Sequence, residues 1–154
     1  MTPLLEIRLF GGLRIGLDQA AVPPFMSAKV PALLAYLAVT GRPQRRDDLA
    51  ALLWGELPDA DARNNLRQAL ANLRRSLDAH LLITRDDVAL NPAAPCTLDV
   101  TAFEQALRSE HDLAPELHAA RLGDAMALYA GDFLAGFFVR DAPAFEEWML
   151  SQRA

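Results

Sequence analysis

The stretch Ala62-Arg63-Asn64-Asn65-Leu66-Arg67-Gln68-Ala69-Leu70-Ala71-Asn72-Leu73-Arg74-Arg75 decides how this chain folds. Leu66, Leu70, Leu73 and, just beyond, Leu77 recur at helical spacing and make one apolar stripe. At about 100° per residue, the opposite side carries Asn64, Gln68, Ala71 and Arg75, flanked by Arg67, Asn72 and Arg74. Such a helix has one face for a protein core and one rich in amides and guanidiniums. Asn, Gln and Arg are the side chains that make bidentate hydrogen bonds to adenine and guanine edges in the major groove. The plainer reading is a solvated helix surface, since Arg and Gln are good helix formers. Asn64, Asn65 and Asn72 weigh against it, because asparagine is a poor one. The carboxylates able to pair with these arginines, Asp59, Asp61 and Asp78, sit only at the helix ends.

The chain has 154 residues, enough for one or two small domains, with 52% hydrophobic and 23% charged residues. The net charge of −5 argues against a nucleic-acid partner until its distribution is read. Residues 1–95 hold 11 basic and 10 acidic side chains, whereas residues 96–154 hold 4 and 10. The acidic excess therefore lies in the second part, and Arg42, Arg45, Arg46, Arg63, Arg67, Arg74 and Arg75 cluster in two short stretches of the first. Local field decides where a phosphate backbone docks. No apolar run approaches bilayer length, no signal-peptide pattern opens the chain, and Cys96 has no partner for a disulfide. These features are expected of a cytoplasmic protein without membrane association.

Outward from the decisive helix, expected over 59–77 and capped by Asp59 or Asp61, the pattern is regular. Alternation over 4–17 around Gly11-Gly12 predicts two short strands or a bent hairpin, and a further short extended segment is expected around Pro23-Pro24. Ser27 is the expected cap of a helix over 28–40, which Gly41 ends. A second helix is expected over 45–54, with Asp47 and Asp48 in its first turn and Trp54 as a core anchor. Leu81–Arg85 and Val88–Leu90, separated by Asp86-Asp87, read as a hairpin. Asn91-Pro92-Ala93-Ala94-Pro95 marks the expected domain boundary. Helices are expected over 99–110 and 115–130 and from Pro143, with Phe103, Tyr129, Phe133, Phe137, Phe138, Phe145 and Trp148 assigned to packing. The order strands, helix, helix, turn, long helix, hairpin defines a mainly α fold with small β elements. It is a winged helix-turn-helix with an N-terminal β element and a wing hairpin, followed by a helical segment. The domains are accordingly residues 1–95 and 96–154.

Leu49-Ala50-Ala51-Leu52-Leu53-Trp54 followed by Ala62–Arg75 resembles the DNA-binding domain of the antibiotic regulatory protein (SARP) family, a winged helix of the OmpR type. Leu98-Asp99-Val100-Thr101-Ala102-Phe103-Glu104, Ala127–Phe137 and Phe145-Glu146-Glu147-Trp148 resemble the start of the bacterial transcriptional activator domain. The resemblance implies an all-helical, tetratricopeptide-like second domain and transcription activation from direct promoter repeats. It also implies side-by-side dimers and engagement of RNA polymerase. The family's activator domain is much longer than the 56 residues after Leu98, which implies the N-terminal part of a larger regulator or a shortened relative. Three departures stand out: a wing tip reading Arg85-Asp86-Asp87, Arg45 where the family often places a capping serine, and a weak positive balance.

Asn64, Gln68 and Arg75, with Arg67 and Asn72, are the expected base or near-base contacts. Arg63, Arg74, Arg45 and Arg46 are the expected phosphate contacts, with Arg85 at the wing. Lys29 is a weaker candidate of the same kind. His80, His111 and His118 form no metal pattern and are expected at the surface. Cys96 has no general base nearby in sequence, and no phosphate-binding loop, dinucleotide fingerprint or nucleophile elbow is present. The expectation is a non-enzyme without cofactor that binds double-stranded DNA. The rival is a protein-interaction module on the same scaffold, favoured by the acidic wing and the low net charge.

Overall fold

The computed structural model describes residues 2–108, 123, 126, 129 and 131–153. Its N-terminal strands β1 (Leu5–Arg8) and β2 (Arg14–Leu17) pair antiparallel around Gly11-Gly12, and β3 (Ala20–Ala21) extends the sheet. Three helices follow: α1 (Lys29–Thr40), α2 (Arg46–Trp54) and α3 (Asp59–Leu77). A two-residue strand, β4 (Gln44–Arg45), stands between the first two, and a short 3-10 turn, Asp78–His80, ends the third. Then come the hairpin β5 (Leu81–Ile83) and β6 (Asp87–Leu90), the strand β7 (Cys96–Leu98), and the helices α4 (Asp99–Arg108) and α5 (Pro143–Gln152). This is the winged helix-turn-helix expected from the pattern, helical with two small sheets. Apart from residues 123, 126 and 129, the helix expected over 115–130 lies outside the described residues, as do His111 and His118. Among those residues no helix is long and apolar enough to cross a membrane.

The core forms where the stripes meet. Leu66, Leu70, Leu73 and Leu77 of α3 are buried with Leu33, Leu34 and Leu37 of α1 and Leu49, Leu53 and Trp54 of α2. Burying a leucine side chain contributes roughly 1.5–3 kcal/mol, so this cluster holds α3 with its leucines inward and its polar side out. Gly41 ends α1 in the left-handed conformation at φ 66°, its N–H donating to the Leu37 carbonyl.

Several local expectations change. Ser27 does not cap α1 with its side chain; its carbonyl accepts the Val30 N–H. Pro58 occupies the cap position of α3, so Asp59 and Asp61 serve the first turn through the helix dipole. Residue 45 belongs to β4, not to the helix, because Gln44 and Arg45 pair with Val88 and Asp87 of the hairpin. The hairpin turn is longer than expected, Thr84-Arg85-Asp86 instead of Asp86-Asp87, because β5 ends at Ile83 and β6 starts at Asp87; the Thr84 hydroxyl bridges it to Asp87.

β7 pairs parallel to β1, Leu5 opposite Cys96 and Ile7 opposite Leu98, so the N-terminal sheet has the order β3-β2-β1-β7 and draws strands from both sides of residues 91–95. The Asp99 carboxylate then accepts the backbone N–H groups of Leu9, Phe10 and Val100 at 2.8–3.0 Å. Phe10 also bridges to Phe133, and the Leu9 carbonyl accepts the Leu134 N–H. Phe133 and Phe145 are buried in the common core, and α5 packs against α2. Phe138 is 64% exposed and is not a core residue, whereas Tyr129, though partly exposed, packs its ring 5.1 Å from that of Phe10 and 6.0 Å from that of Phe103. His80 is buried rather than at the surface, its Nε2 lying 3.2 Å from the Pro95 carbonyl oxygen. It ties the end of α3 to the chain entering β7.

Candidate nucleic-acid interface

α3 presents three strips. Asn64, Gln68, Ala71 and Arg75 lie opposite the leucines and are exposed. Arg63, Arg67 and Arg74 form a strip along one flank, also exposed. Asn65, Asn72 and Ser76 form the other flank and are half-buried. α3 packs on α1, α2 and the turn that follows it, so its outward face is left open.

The guanidinium flank faces the wing. Arg63 and Arg67 of α3, Arg45 of β4, Arg46 of α2 and Arg85 of the hairpin turn line one shallow groove of ≈ 190 Å³ together with Asp47, Leu66 and Asp86. Arg46 builds this groove. Its Nε donates to the Thr84 carbonyl at 3.0 Å, and its backbone N–H donates to the Asp86 carbonyl at 2.8 Å. The wing and the start of α2 are thereby fastened together. Pattern reading missed this role because a two-residue strand has no periodicity, and the bonded partners lie 38 residues apart or more.

The remaining candidates are placed differently. The Arg74 Nε lies 2.9 Å from the Asp78 carboxylate, an exposed i,i+4 pair at the end of α3. Such a pair contributes about 0.3–0.5 kcal/mol and exchanges readily. The Asn72 side-chain oxygen accepts the Met26 N–H at 3.0 Å, tying the segment before α1 to α3. That bond occupies one of the two groups a bidentate adenine contact would need. Lys29 is engaged elsewhere, its ammonium 5.4 Å from the centre of the Trp54 ring. Burial pushes its pKa below the ordinary value, against Asp141 and Glu56, which pull it up. The structure thus brings Arg45, Arg46, Arg63, Arg67 and Arg85 together, sets Asn64, Gln68 and Arg75 beside them on the open face, and draws Asn72 and Arg74 toward local partners.

The architecture defines the class: a winged helix-turn-helix with an open third-helix face and a helical segment packed behind it. No protein-family model matches the chain, and no curated protein matches it in sequence. One solved structure, Mycobacterium tuberculosis EmbR in complex with a low-affinity phosphopeptide, shares the fold with a TM-score of 0.74 at 24% identity. The match covers 97% of this chain and 41% of that one, so the chain spans about two fifths of its length.

Proposed function

We propose that this protein is a sequence-specific regulator of transcription that binds double-stranded DNA, with α3 in the major groove. The observation that carries this reading is the open strip Asn64, Gln68 and Arg75 beside a groove lined by five arginines. Amides and a guanidinium on one helix face suit base edges, and the arginines alongside suit phosphates. Arg63, Arg74, Arg45 and Arg46 are assigned to phosphates, Arg67 and Asn72 to near-base positions, and Arg85 to the wing. The resemblance of Leu49–Trp54 and Ala62–Arg75 to the SARP DNA-binding domain supports the same reading. By the same resemblance the protein is an activator without enzymatic activity or cofactor. It acts in the cytoplasm on promoter repeats as a homodimer that engages RNA polymerase, with residues 1–95 as the DNA-binding unit and 96–154 opening the activator domain.

Selection of bound duplexes from a random library is the direct test, with an enriched repeated motif as the expected result. With about five phosphates neutralised, log affinity falls against log salt with a slope near −4.5. The Arg67→Ala, Arg75→Ala double variant should lose most of this affinity, and wild-type binding by that variant would reject the role of α3.

The interaction-module reading draws support from the exposed Asp86 at the wing tip and from the acidic balance of the second part. Failure of the whole chain to be retained on heparin at low salt would favour it.

A further inference from the structure

We propose that the groove between α3 and the wing is a preformed seat for one backbone phosphate of duplex DNA, so that the wing lies along a strand and does not enter the minor groove. This rests on the DNA-binding reading above and deepens it: Arg67 and Arg85 become phosphate ligands, and base reading is left to Asn64, Gln68 and Arg75.

The first support is charge left uncompensated. Five guanidiniums from four elements line the groove, and Asp47 and Asp86 line it too. Among the described residues the ion pairs within 4 Å are Arg8–Glu6 and Arg74–Asp78, neither of which is in the groove. Arginines gathered beside two carboxylates without pairing to them repel one another across a concave surface. An anion with several acceptor oxygens relieves that repulsion and matches the planar guanidinium fork.

The second support is rigidity. Arg46 is bonded to Thr84 and Asp86 at the turn, and Arg45 pairs with Asp87 in the β4–β6 ladder. The wing wall is therefore held at a set distance from α2, and α2 is packed on α3. A ligand finds its donors already in place, which lowers the ordering cost of binding.

The third is the chemistry of the wing tip. Asp86 is exposed beside Arg85, and Asp87 follows at the start of β6. The minor groove is about 6 Å wide and concentrates negative potential, which repels two adjacent carboxylates. Against a single strand the wing meets one phosphate, and Arg85, with the other arginines of the groove, outweighs the charge of Asp86 beside it.

The test uses the full chain and the duplex enriched by selection, compared with duplexes altered at single base pairs. Arg67→Ala and Arg85→Ala should each weaken binding severalfold and by the same factor for every duplex, with the salt slope shallower by about 1. Asp86→Asn should tighten binding. Both arginines are exposed, so urea unfolding of the variants should match the parent and confirm that the fold is intact. Relaxed preference at one base pair in either arginine variant, or an unchanged salt slope, overturns the assignment. If selection enriches nothing, the specific reading fails, and the groove is judged by NMR with a short duplex of arbitrary sequence. Shifts of the Arg45, Arg67 and Arg85 side-chain N–H signals ahead of the Asn64 and Gln68 amides would sustain the phosphate seat, and their absence would end it.

Discussion

The side-chain oxygen of Asn72, in the second half of α3, accepts the backbone N–H of Met26, 46 residues earlier in the chain, at 3.0 Å. A backbone N–H can only donate, so the oxygen and not the nitrogen of the carboxamide must face it. The NH₂ group is then left to donate away from the segment before α1.

This arrangement separates two variants. Asn72→Ala loses the tie and should cost about 1 kcal/mol in urea unfolding, the ordinary net value of one hydrogen bond. Asn72→Asp keeps an acceptor for Met26 and should unfold like the parent, yet bind DNA more weakly because it replaces a donor with a negative charge. Equal stability of parent and Asn72→Ala would show that the tie carries no weight.

Asp99 joins the start of α4 to the turn after β1, accepting backbone N–H groups from Leu9, Phe10 and Val100. Hydrogen bonds to a charged acceptor are worth more than neutral ones, and removal leaves part-buried donors unmatched. Asp99→Ala should therefore destabilise the protein by about 3 kcal/mol in a denaturant titration. Asp99→Asn, which retains one acceptor oxygen, should fall between the two. A loss under about 1 kcal/mol in the alanine variant would mean that β7 pairing alone holds the junction.

Gly131 has φ +151°, and a Cβ there would stand 3.0 Å from the Gly11 Cα. Two backbones meet at this point, since the Gly11 N–H donates to the Asp132 carbonyl. Gly131→Ala should cost about 1–3 kcal/mol through backbone strain, with added pressure on the Phe10–Phe133 bridge. A melting temperature equal to that of the parent would contradict the close approach.

Lys29 gives a pH signature. Burial lowers its folded-state pKa below 10.5, so the unfolded chain holds the proton more tightly. Within the window just below 10.5 the unfolded state binds more protons, and stability rises with pH. Relative to Lys29→Met, the parent should gain stability as pH is raised through that window, with a flat difference at neutral pH. A parent that loses stability relative to the variant over the same range would reverse the sign and refute the assignment.

The helices were readable because their causes are local. The leucine period of α3, the glycine after α1 and the acidic first turn of α2 each act within a few residues, and the structure places all three helices within about two residues of the expected spans. The wing strands were readable for the same reason, being two short β-prone runs with a tight turn. The outward exposure of Asn64, Gln68 and Arg75 followed directly from burial of the leucines. Less local features escaped. β4 is two residues long, and β7 pairs in parallel with a strand some ninety positions earlier, so neither leaves a periodic trace. His80 reads as polar until the 3-10 turn folds it under Pro95.

By itself the order of amino acids determined which side of α3 goes inward, because a helix with leucine on one face has one low-energy way to meet a core. Only the tertiary structure decided which polar side chains share a groove and which are taken up by local partners. Arg67 and Arg85 sit together because Arg46 holds the wing against α2, and Asn72 turns toward Met26 because a backbone donor there requires an oxygen. Those outcomes depend on distances between residues far apart in the chain, which helical and strand periods do not encode.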